Sequence, residues 1–82
     1  MRWVEHEYFD DQGRIRGWVS WYGPARTNWA GVLAEPATGL DREFCNSAEE
    51  ARAWVEFALP YYRITGEIPT PEVWHEHRKE VV

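Results

Sequence analysis

A single cysteine, Cys45, in a chain of 82 residues removes the usual staple of a very small domain, because no internal disulfide can form. A chain of this length buries only roughly 60–65% of the surface its unfolded form exposes, so its core is thin. Six tryptophans, four tyrosines and three phenylalanines answer that shortage, since each aromatic ring buries on the order of 150–250 Å². At least half of them are therefore expected to build core. One cysteine also points to a reducing compartment. The start, Met1–Arg2–Trp3–Val4–Glu5–His6–Glu7, has no apolar stretch of the kind that leads secretion. The longest apolar run, Trp29 to Ala34, is far too short to span a bilayer. A bacterial cytoplasm and no membrane contact are the expectation.

Charge is unevenly placed. Between Gln12 and Ala34 lie Arg14, Arg16 and Arg26, the tryptophans Trp18, Trp21 and Trp29, Tyr22, and no acidic residue. The formal net charge of the chain is −5, so everything outside that segment sums to −8 (−5 minus +3). Arg, Trp and Tyr are the residues most enriched at interface hot spots. An acidic chain disfavours general phosphate binding by net charge.

Residues 2–9 and 14–22 read as two strands joined by Asp10–Asp11–Gln12–Gly13, a loop whose final glycine supplies positive φ. Closing Phe9 opposite Arg14 sets Glu7 against Arg16 and Val4 against Val19. One face then carries Val4, His6, Tyr8, Ile15, Gly17, Val19 and Trp21, expected as core. The other carries Trp3, Glu5, Glu7, Phe9, Arg14, Arg16, Trp18, Ser20 and Tyr22, expected as a decorated face. Gly23–Pro24 opens a loop. Further strands are expected over 29–35 and 40–45, with a turn at Pro36–Ala37–Thr38–Gly39 between them.

The clearest helix signal follows. Ser47–Ala48–Glu49–Glu50 is a capping box, and Ala51, Trp54, Val55 and Ala58 form an apolar stripe behind it. This predicts a helix over 48–59 that Pro60 stops, with 60–69 irregular. Thr70 as cap and Pro71 at the first helical position predict a second helix over 71–81, with Val73, Trp74, His77 and Val81 on its inner edge. The expected architecture is a single α+β domain, a four-stranded antiparallel meander with one face covered by the C-terminal helices.

Catalytic signatures are absent from the pattern. Cys45 has no flanking motif and reads as a small buried thiol. His75 and His77 sit at i and i+2, which point to different sides of a helix, whereas helical metal pairs use i and i+4. No metal, no cofactor and no enzymatic activity are expected. Glu72, Glu76 and Glu80 make an acidic ridge at i, i+4, i+8, a solvated face or a partner face.

Two readings from different classes fit these residues. Gly13 through Trp18 and Trp21, with Phe44 and Ser47–Ala48–Glu49–Glu50–Ala51–Arg52–Ala53–Trp54, resemble the sheet-plus-helix arm-binding domains of tyrosine recombinases and the DNA-binding domains of plant ethylene-response factors. The resemblance implies a sheet lying in the major groove, with Arg14, Arg16 and Trp18 facing DNA. Lys79 is the only lysine, and Glu5 and Glu7 share that face. In size, acidity and aromatic surface the chain also resembles small phage-encoded anti-CRISPR proteins. That resemblance implies a stoichiometric inhibitor docking on a Cas effector subunit; the aromatic faces permit a monomer or a homodimer. Arg14, Arg16, Trp18, Tyr22 and Arg26 would form its docking strip, with Glu72, Glu76 and Glu80 as the alternative acidic face. The bland alternative is that Trp18 packs beneath a helix and the arginines pair with Glu5 and Glu7 across strands.

Overall fold

The computed structural model describes residues 1–23, 28–35 and 42–81, with side chains of the last helix described through Lys79. Five strands lie in sequence order as an antiparallel sheet: β1 (Arg2–Val4), β2 (Glu7–Phe9), β3 (Ile15–Trp21), β4 (Trp29–Leu33) and β5 (Arg42–Cys45). Two helices follow, α1 (Ala48–Thr65) and α2 (Pro71–Val81). The α+β meander expected from the sequence is present, with one strand more than expected.

The extra strand comes from a hairpin inside the stretch expected as a single strand, 2–9. Val4 pairs with Glu7, leaving Glu5 and His6 as a two-residue turn. Glu5 takes φ 54°, and no other described non-glycine residue has positive φ. Its carbonyl accepts from the Arg52 guanidinium at 2.9 Å, which ties the turn to α1.

The register also differs from expectation. Glu7 pairs with Trp18, Tyr8 with Gly17 and Phe9 with Ile15, with an irregularity between Tyr8 and Phe9. Phe9 is therefore not opposite Arg14, and Glu7 does not face Arg16. The Asp10 side chain sets this offset, because its Oδ1 accepts the backbone N–H of both Gln12 and Arg14 at 2.9 Å. Such an Asx turn tightens the loop, and Gly13 closes it at φ 79°.

Helix α1 starts as the capping box requires. Ser47 Oγ accepts from the Glu50 N–H at 3.1 Å. The Glu50 carboxylate reaches back to the Asn46 N–H and, through its other oxygen, to Arg78 on α2 at 2.7 Å. One cap therefore also anchors the second helix. Pro60 does not stop α1, which runs on to Thr65 and ends at Gly66 in the left-handed region. A proline inside a helix costs about 3 kcal/mol. Pro60 is exposed, and Phe57–Tyr61 packing together with Tyr62 against the core holds the following turn in place. Ile64, on this added turn, is 85% exposed.

The apolar stripe of Ala51, Trp54, Val55 and Ala58 is fully buried against the sheet face of Val19 and Leu33. Each large side chain so buried contributes about 1.5–3 kcal/mol. Two glycines make the approach possible. A Cβ on Gly31 would lie 2.6 Å from the Ala51 carbonyl oxygen, and one on Gly17 would lie 2.7 Å from Val55. Thr70 caps α2 as expected, and Trp74 is its buried anchor. Val81, expected on the inner edge of α2, has a side chain outside the described residues.

Candidate aromatic docking site

Strand alternation sorts the sheet into two faces. Gly17, Val19, Gly31 and Leu33 look toward α1, so Trp18 lies on the opposite face, half-buried between its cross-strand neighbours Glu7 and Val32. Trp18 does not pack beneath a helix. Ser20, Ala30 and Phe44 form the next row of that outer face, and Arg42 stands beside Val32.

Several residues fall on a face other than the expected one. Trp3 pairs with Tyr8 and belongs to the α1 side, where its indole N–H donates to Glu56 at 2.8 Å and Arg52 lies over its ring. Val4, Ile15, His6 and Trp21, expected as core, are exposed. The β1–β2 turn carries Val4 and His6 out of the core, and for Ile15 and Trp21 the physical reason is reach. Helix α1 covers the middle of β3 and β4, and the strand ends run past it.

Those uncovered ends are not equivalent. At the end where β3 finishes and β4 begins, Trp21 is 59% exposed, Tyr22 50% and Phe44 54%. Trp21 lies 6.4 Å from Trp29 between ring centroids, and Tyr22 meets Phe44 edge-on at 5.8 Å. The Tyr22 N–H donates to the Asn28 carbonyl at 2.7 Å, so pairing continues past the strand end and holds the tyrosine in place. His6 adds a fifth ring, 6.0 Å from Trp29. Aromatic side chains thus crowd both sides of one sheet end.

The arginines of the expected strip disperse. Arg16 Nε donates to Asp10 Oδ2 at 2.9 Å. Its charge is therefore already met, by Asp10 rather than by Glu5 or Glu7. The backbone N–H of Arg14, together with the Arg16 side chain and the Gln12 N–H, holds the Asp10 carboxyl at about 2. Arg14 is exposed and donates to the Gln12 side chain. Arg26 lies outside the described residues. Of the expected docking residues, Tyr22 sits at the aromatic end, Trp18 further along the same outer face, and the two described arginines toward the opposite end.

Trp21, Phe44 and Arg42 were missed as surface residues. The alternation of Arg42–Glu43–Phe44–Cys45, with Cys45 buried, is the signal that places Arg42 and Phe44 outward. Trp21 carried no such signal, because its exposure depends on where α1 begins.

Reactive groups elsewhere are quiet. Burial, helped by the carboxylates of Glu50 and Glu43, pushes the Cys45 thiol up to about 12, so it stays protonated. Burial also raises Glu43, with His75 opposing and Glu50 adding to the rise. His75 is exposed while His77 stacks on Phe57 at 4.1 Å. Among the described residues no group of three metal-ligating side chains converges. Glu72 and Glu76 stand exposed on α2, and the side chain of Glu80 is outside the described residues. No described helix is long and apolar enough to cross a membrane. Set against known proteins, the chain matches no family model, no curated protein and no solved structure.

Proposed function

We propose that this chain is a non-enzymatic docking protein that binds a protein partner through the aromatic end of its sheet. The observation that carries the reading is the half-exposed pair Tyr22 and Phe44, in edge-on contact on the outer face, with Trp21 exposed on the other side of the same sheet end. Large apolar side chains left exposed in a cluster mark interaction sites, and Trp and Tyr are typical anchors there. Trp18 and Arg42 extend the surface along the outer face. A buried, protonated Cys45 supplies no nucleophile.

The partner class we propose is a subunit of a host defence nucleoprotein complex, a Cas effector, blocked by stoichiometric docking. Size, acidity and aromatic richness support that class, while the sheet end supports the docking mode. The DNA-reading alternative is weaker, because Asp10 already neutralises Arg16 and Glu7 stands beside Trp18. Duplex affinity draws mainly on phosphate neutralisation.

The test is tagged capture from bacterial lysate containing such a complex, with and without nuclease, read by mass spectrometry. Cas subunits retained after nuclease, and weakened by about 2 kcal/mol or more in Phe44→Ala, are the expected result. Recovery of nucleic acid alone, lost on nuclease treatment, would favour the DNA reading. Capture of no subunit would overturn the partner class.

A further inference from the structure

Helices α1 and α2 enclose a shallow groove of about 370 Å³ lined by Phe57, Val73, His77, Glu72 and Glu76. It shares no residue with the aromatic sheet end and rests on separate observations. Its floor is apolar and fixed. Phe57 stacks on His77 at 4.1 Å and lies 5.7 Å from Trp74, which is itself buried. Two carboxylates, those of Glu72 and Glu76, stand exposed at its rim.

We propose that this groove receives an arginine side chain from a partner protein. The argument is charge and shape complementarity. Residues at i and i+4 place their Cβ atoms roughly 5–6 Å apart on one helix face. Both carboxylates therefore border the same opening. An arginine offers a planar guanidinium with five donors, enough to engage two carboxylates at once. Its three-carbon stem covers Phe57 and Val73 while the charge stays at the wet rim. Lysine fits less well, since a compact ammonium lacks the planar fork that spans two acceptors.

Competition from the protein's own cations is slight. Lys79 Nζ lies 3.6 Å from Glu76, an exposed pair in which both side chains are at least 70% accessible, and such pairs contribute only about 0–1 kcal/mol. Arg78 is turned to Glu50 instead. Among the described residues no cation pairs with Glu72.

The experiment is an NMR titration of the intact ¹⁵N-labelled chain with a blocked Leu-Arg-Leu peptide and the same peptide carrying citrulline for arginine. Saturable shifts centred on Val73, Glu76 and His77 are expected with the arginine peptide. The citrulline peptide should bind about threefold to fivefold more weakly, the loss of a charge-assisted contact at an exposed rim. The Glu72→Gln/Glu76→Gln double variant, changed only at exposed positions, should lose affinity for the arginine peptide to the same degree. Phe44→Ala should leave it unchanged. Equal binding of the two peptides, or arginine-peptide shifts that avoid α2, would overturn the proposal. Because no partner protein enters this titration, its failure leaves the capture experiment standing, and the reverse holds too.

Discussion

The two faces of the sheet are made from alternating residues of the same strands, yet they obey different rules. Under α1 the middle positions of β3 and β4 are dictated by contact. Gly17 and Gly31 exist as glycine because the helix backbone and Val55 occupy the space a side chain would need. Trp54, Leu33 and Val55 fill what remains. On the other face, and at the aromatic end, Trp18, Tyr22, Phe44 and Trp21 keep large apolar surface with no described helix over it. In a chain this short, apolar area is the scarcest stabilising resource. Leaving four big rings uncovered or half-covered is therefore informative. The α1 face carries the core cluster, whereas on the outer face Ala30 and Val32 are buried and Tyr22 and Phe44 stand exposed.

Substitutions on the two faces should separate in size. Trp54→Ala, which empties the centre of the α1 face, is expected to cost about 3–5 kcal/mol and leave the chain largely unfolded at room temperature by circular dichroism. Gly31→Ala adds one methyl where the Ala51 carbonyl oxygen and the Trp54 ring leave 2.6 and 2.9 Å. Overpacking of this kind should cost about 1–3 kcal/mol in a urea titration. If Gly31→Ala were neutral, the close seating of α1 would be wrong.

A smaller and pH-dependent effect concerns Asp10, which holds Arg16. Its carboxyl titrates at about 2 in the folded chain, below the ordinary 3.8. A group depressed on folding stabilises above its ordinary value and loses that contribution as pH falls. Thermal stability should therefore decline as pH drops from about 4 toward 2. Asp10→Asn should flatten that decline and free Arg16. An unchanged acid profile in the variant would show that Asp10 does not govern the loop.

Much of the α1 face was legible beforehand, because helix signals are local. Ser47, Glu50 and the Ala51–Trp54–Val55–Ala58 spacing locate the helix start and its buried stripe without reference to the sheet. Thr70–Pro71 does the same for α2. Pro60 misled because a proline's penalty is local while part of its compensation, Tyr62 packing on the core, is tertiary. The hairpin at Glu5–His6 was hidden for a related reason. Neither residue is a turn former, and Glu5 is held at positive φ partly by Arg52, 47 residues away. The register slipped because Asp10 offsets the β2–β3 pairing through side-chain bonds that alternation does not encode. For the docking site, Trp18 and Tyr22 stand on the face expected of them. Trp21 did not reveal itself, since its exposure follows from how far α1 reaches.

The exposed rings Tyr22 and Phe44 contribute little to holding the fold. Urea unfolding of the Tyr22→Ala/Phe44→Ala double variant tests this claim most directly, since those rings touch each other. The expected result is a loss within about 1 kcal/mol with an unchanged denaturant slope, as for surface substitutions. A loss of about 3 kcal/mol or more, the size of a core truncation, would contradict the claim and return those rings to the core.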